Sequence, residues 1–132
     1  MFRDDPNPPG LYYVLNPDKS VRPIADVLEW SRVFRDKMRR VALTETPYGV
    51  VSTVFLGIDH QYGVGPPILF ETMVFNCPLD EIQQRYSLYK EALEGHEAVV
   101  RQVRAIGWWQ YAGWAIRAYL ANSRQRVYAW FR

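Results

Sequence analysis

The chain has 132 residues, of which 48% are apolar, 15% aromatic and 23% charged, with 16 Lys and Arg against 14 Asp and Glu. A chain of this size and composition buries about two-thirds of its unfolded surface around one core, which excludes disorder, collagen-like repeats and a disulfide scaffold. Cys77 is the only cysteine, so no internal disulfide and no cysteine-based zinc site can form, in keeping with a reducing cytoplasm. Charge is divided sharply along the chain. Residues 1–97 hold all 14 acids and 10 of the bases, a balance of −4, whereas residues 98–132 hold six arginines, no acid and eight aromatic residues.

In chain order, MFRDDPNPPG has three prolines and no apolar run, and reads as an extended arm and not as a signal peptide. LYYVL, the turn-forming NPDKS and the following Val21 and Arg22 predict a hairpin. From Ile24 to about Met38, apolar residues recur at three- and four-residue steps, with acids early and bases late. This predicts an amphipathic helix with Trp30 on its half-buried flank. RRVALTE, the turn TPYG and VVSTVFLGI predict a second hairpin, and ILFETMVF a third strand joined to it by DHQYGVGPP. Short connections make this an antiparallel meander. NCPLDEIQQ reads as the start of a long helix, with Asp80 as N-cap and Gln83 as its capping-box partner. Ile82, Tyr86, Tyr89, Leu93, His96, Val100 and Val103 form its apolar stripe, and Gly95 is its weak point. Residues 105–121 have only Gln110 and Arg117 as clearly polar residues and predict a third helix, buried or facing a partner in preference to lying on or spanning a membrane.

The loop Asp59-His60-Gln61-Tyr62-Gly63-Val64-Gly65-Pro66-Pro67 is the first candidate site. Its glycines and prolines fix a path, and His60 beside Asp59 is suited to acid–base work. Glu71 interrupts an apolar strand and is expected opposite about Phe55, either on the open sheet face or buried with a partner. The plainer reading makes Asp59 a turn-forming acceptor of backbone amides and His96 a hydrogen-bonded core residue. A mixed cluster of His60, His96, Asp59 and Glu71 requires the long helix to cross the loop. There is no phosphate-loop pattern, nucleophile elbow or histidine-rich metal motif, so no cofactor and no metal is expected. The Arg-aromatic tail, with Trp108, Trp109, Trp114, Arg117 and Trp130, is the candidate partner surface. It is also a weaker candidate for nucleic acid or a membrane surface.

VSTVFLGIDHQYGVGPPILFETMVF, preceded by RRVALTE and followed by RYSLYKEALEGHE, resembles a family of small uncharacterised proteins of phage and prophage genomes. The resemblance covers about residues 39–103. It implies a phage-encoded accessory protein and marks Asp59, His60, Glu71, Gly95 and His96 as motif positions without roles. The tail after Val103 departs from the family pattern.

Together these readings predict an α+β domain over residues 1–104: an antiparallel meander with an N-terminal hairpin, covered by a short and a long helix. An aromatic helical segment follows over 105–132. The expected function is binding of a protein partner, of a small ligand at Asp59, His60, Tyr62, Glu71 and His96, or of a second copy. The alternatives are a small hydrolase or lyase with His60 as base, and attachment to nucleic acid or membrane through the tail.

Overall fold

The computed structural model describes residues 11–34, 39–61 and 63–130, with side chains described as far as Ser123. The N-terminal arm, the end of the first expected helix at 35–38, Tyr62 and the side chain of Trp130 lie outside the described residues. Where described, the chain has the expected α+β architecture, a two-stranded and a four-stranded antiparallel sheet with helices.

β1 (Tyr12–Leu15) and β2 (Val21–Ile24) pair with Tyr12 opposite Ile24. Their turn is closed by Asn16 N–H donating to Ser20 O at 2.8 Å and Lys19 N–H to Asn16 O at 2.9 Å. The first helix is shorter than its periodicity. Ile24 belongs to β2 and is buried, and α1 (Val27–Val33) starts where the Asp26 carboxylate accepts the Leu28 amide at 2.9 Å. A helix cannot begin at Ile24 because that residue is already committed to pairing with Tyr12. Trp30 is half-buried, as expected. Its Nε1–H donates to Tyr13 O at 2.9 Å and its ring stacks on Phe34 at 4.7 Å. Through Phe34 against Phe55, and Phe55 against Phe70, the aromatic contacts tie the hairpin and α1 to the main sheet.

The main sheet is a meander of four strands in the order β3 (Arg40–Thr46), β4 (Gly49–Phe55), β5 (Phe70–Phe75) and β6 (Gln83–Tyr86). The fourth strand corrects the sequence reading, which placed a helix at Asp80 to Tyr86. Asn76 adopts a left-handed φ of 53°. Two tight turns follow, with Asp80 N–H donating to Cys77 O and Ile82 N–H to Leu79 O, each at 3.1 Å. Residues 83–86 then pair with β5, Tyr86 opposite Phe70. Ile82 and Tyr86 are four apart, a spacing that keeps two side chains on one face of a strand as well as of a helix. That coincidence extended the apolar stripe two residues too far.

α2 (Tyr89–Arg104) begins where the Glu91 carboxylate accepts the Leu88 amide at 3.1 Å. It covers one sheet face. His96, Val99, Val100 and Val103 are buried against that face, which includes Val51, Thr53, Thr72 and Val74. Gly95 sits where the Tyr86 phenol crosses the helix, and a Cβ built there would clash with the phenol oxygen and the ring carbons beside it. Glycine costs the helix roughly 1 kcal/mol relative to alanine, but here it admits an aromatic side chain from the neighbouring strand. Replacing Gly95 with Ala is expected to destabilise the fold by about 1–2 kcal/mol, because overpacking outweighs the gain in helix propensity. The penalty should shrink when Tyr86 is also changed to Ala. Urea unfolding of the two single variants and the double variant measures this coupling, and a stabilised Gly95→Ala protein contradicts it.

Candidate functional site

The Asp59–Pro67 loop is held at its base. His60 N–H donates to Ile68 O at 3.1 Å and Asp59 N–H to Leu11 O at 2.9 Å. One Asp59 carboxylate oxygen accepts both Gln61 N–H at 2.7 Å and Ile68 N–H at 3.0 Å. Asp59 thus fastens the two ends of the loop through backbone amides, the turn-forming role that an aspartate at such a corner can play. His60 is half-buried beside it, and at the tip Val64 is 94% exposed.

Glu71 belongs to a different cluster. It lies opposite Val54, one residue from the expected Phe55, because Phe55 pairs with Phe70. Strand alternation puts it on the sheet face away from α2. It is only 9% exposed, and it accepts Gln83 Nε2–H at 2.7 Å and Arg85 Nε–H at 2.9 Å. Both expectations for Glu71 therefore meet: it sits on the open face and it is paired there.

His96 sits in a buried polar chain under α2. Its Nε2 and the Thr44 hydroxyl are 2.8 Å apart, its Nδ1 and the Thr53 hydroxyl 2.8 Å, and the Thr53 and Thr72 hydroxyls 2.6 Å. A neutral imidazole has one N–H and one lone pair, so one threonine donates to it and the other accepts. The chain joins α2 to β3, β4 and β5. Among the described residues no hydrogen bond or ion pair joins Asp59, His60, Glu71 and His96, and no group of three or more His, Cys, Asp and Glu could hold a metal. Cys77 is buried, and burial pushes its thiol pKa up.

The surfaces with unsatisfied character lie elsewhere. α3 (Trp108–Trp130) follows α2 after Ala105–Gly107 and packs on the body at its first turn, where Tyr111 meets Tyr48 at 5.6 Å. Among the described residues, no strand or other helix lies along it. The sequence expected a buried or partner-facing helix; within one chain it is not buried. Trp109 is 82% exposed and Ile116 60%, with Trp108, Tyr119 and Leu120 also exposed. Trp114 is half-buried and stacks obliquely on Tyr111 at 5.8 Å, and Arg117 is exposed. Trp109, Ile116 and Leu120 fall along one line of the helix, with Trp108, Ala112 and Tyr119 beside it. This arc is about as wide as the face a surface helix turns toward a core. No helix among the described residues is long and apolar enough to cross a membrane.

The second such surface is the open sheet face, which the sequence suggested only as one setting for Glu71 and not as an interaction surface. Leu43, Val50, Val54, Met73 and Phe75 share it with Ser52, Glu45 and the Glu71–Arg85 pair. Leu43 and Phe75 are exposed. The signal was present: GVVSTVF and FETMVF do not alternate polar with apolar, as a strand with one solvated face should. No family model, curated protein or solved structure matches the chain.

Burial lowers the His96 pKa below the ordinary histidine value, with a smaller opposing pull from Glu97. Below about pH 6.5 the unfolded chain takes up a proton that the folded chain refuses. The His96 contribution is therefore complete above that pH and is lost as pH falls toward the folded value. Denaturant unfolding at pH 7.5 and 5.5 should give the lower stability at 5.5. His96→Gln should flatten that difference and lower stability at both values by about 1–3 kcal/mol, since buried hydroxyls lose their partner. An unchanged pH difference in the variant contradicts the assignment.

Proposed function

We propose that the chain is a small binding module that acts by pairing with a second copy of itself, α3 of each copy lying across the open sheet face of the other. The observation that carries this reading is the coexistence, among the described residues, of an apolar helix without a cover and an apolar sheet face without a helix. Large exposed apolar patches mark interaction surfaces, and helices draw most of their stability from packing an apolar face.

Charge selects the occupant. The C-terminal 35 residues are basic and free of acids, whereas the rest of the chain is acidic, so the tail of one copy is attracted to the body of another. Locally, Arg117 on α3 has no carboxylate partner and Glu45 on the open face has no cation among the described residues. Dimensions fit as well. A 23-residue helix is roughly 35 Å long and a four-stranded sheet roughly 19 Å wide, so the helix crosses the face completely. Reciprocal exchange doubles the area that one such contact buries, and it is closed by a two-fold axis.

Sedimentation equilibrium of the full chain tests the reading. A mass near twice the 15.5 kDa of one chain is expected. Placing Glu at both Ile116 and Leu120, or Lys at Val54, should return a folded monomer, and high salt should weaken association. A wild-type monomer throughout the micromolar range overturns the proposal. Accompanying binding to anionic vesicles would then assign the tail to a membrane surface, binding to DNA to nucleic acid, and stoichiometric binding of a purified host protein to that partner.

A further inference from the structure

A cleft of about 420 Å³ lies between the N-terminal hairpin, α1, the start of β3 and the start of α2. Its apolar wall is formed by Val14, Leu15, Val33 and the ring of Tyr89, and its charged groups are Lys19, Arg22 and Arg40. No carboxylate belongs to its described lining, and none of the three cations has an ion-pair partner among the described residues. All three are exposed, so solvent screens part of their mutual repulsion, and an anion between them would relieve the rest.

Lys19 supplies an independent observation. It stands in the β1–β2 turn with a left-handed φ of 70°, a conformation that lysine rarely adopts and that glycine or asparagine ordinarily holds in this kind of turn. Its side chain reaches across so that Nζ lies 5.6 Å from the centroid of Tyr89. The turn is otherwise well made: the Asp18 carboxylate accepts both the Ser20 amide and the Ser20 hydroxyl. The hydrogen bonds of the turn do not use the lysine side chain, which instead places a cation at the cleft beside Tyr89. Backbone outliers of this kind collect at ligand sites.

We infer that this cleft binds a small organic anion, a carboxylate or phosphate head held by Lys19, Arg22 and Arg40 with an apolar body against Val14, Val33 and Tyr89. The volume suits a compact ligand, and apolar walls with a few convergent polar groups are the usual construction of such sites. The guanidinium groups offer paired donors to planar or tetrahedral oxyanions, and the ammonium adds a point charge. This site is separate from α3 and the open sheet face and does not depend on the pairing of copies.

The test is an amide NMR titration of the full chain with phenyl phosphate, benzoate and benzyl alcohol. Saturable shifts around the β1–β2 turn, Arg40 and Tyr89 are expected with an anion and not with the alcohol; the anion that binds tighter identifies the head group. Lys19→Gly relieves the turn, so that variant should be at least as stable as the parent, yet bind at least about fivefold more weakly. Replacing both Arg22 and Arg40 with Gln should weaken binding more than about tenfold. Equal affinity for benzyl alcohol, undiminished binding by Lys19→Gly, shifts confined to α3, or no saturation by either anion at millimolar concentration would each overturn the assignment.

Discussion

The seating of α2 on one face of the meander is the constraint from which the rest of the structure follows. Two features fix it. The Thr44–His96–Thr53–Thr72 chain sets the helix at one depth and position over three strands, and the absence of a side chain at Gly95 lets it close on Tyr86 of the fourth. A buried polar chain whose members are all satisfied fixes one arrangement more sharply than apolar contact alone, since any shift strands a donor or an acceptor. Val99, Val100 and Val103, which follow His96 on α2, pack with Val51 and Val74 of the sheet and supply hydrophobic free energy.

This seating leaves the other face of the sheet with no helix among the described residues. It also carries the end of α2 to the β3–β4 turn, where Ile106 and Tyr111 close the core. From there α3 leaves the body. The hairpin and α1 meet the opposite end of the sheet through Phe34 and Phe55, and Tyr89 at the start of α2 touches Phe70. The apolar helix and the apolar sheet face are thus both by-products of where α2 stops, and the cationic cleft of where it starts.

Much of this architecture could be read in the residues. The hairpins announced themselves by β-formers around NPDKS and TPYG, and the core role of His96 by its place on the apolar stripe. β6 was hidden because QQRY has no β-rich composition and because Ile82 and Tyr86 keep helical spacing; only pairing with Phe70 and Glu71 decides its conformation. The purpose of Gly95 was invisible for the same reason, since Tyr86 reaches it across the fold. Asp59 and Glu71 both looked chemical in sequence, but Asp59 is held by backbone amides of its own loop and Glu71 by Gln83 and Arg85 of the neighbouring strand β6. The cleft drew no attention because Lys19, Arg22 and Arg40 are spread over two sheets, and no local pattern records that they converge.

In the proposed pairing the uncovered helix of one molecule finds the uncovered sheet of another. Mixing a protein carrying Ile116→Cys with one carrying Val54→Cys and treating the mixture with a short bifunctional thiol reagent tests this directly, the native Cys77 being buried. A mixed covalent dimer is expected, formed faster than any dimer of either variant with itself and suppressed by high salt. Cross-linking of Ile116→Cys only to its own kind, or none at all, would contradict it.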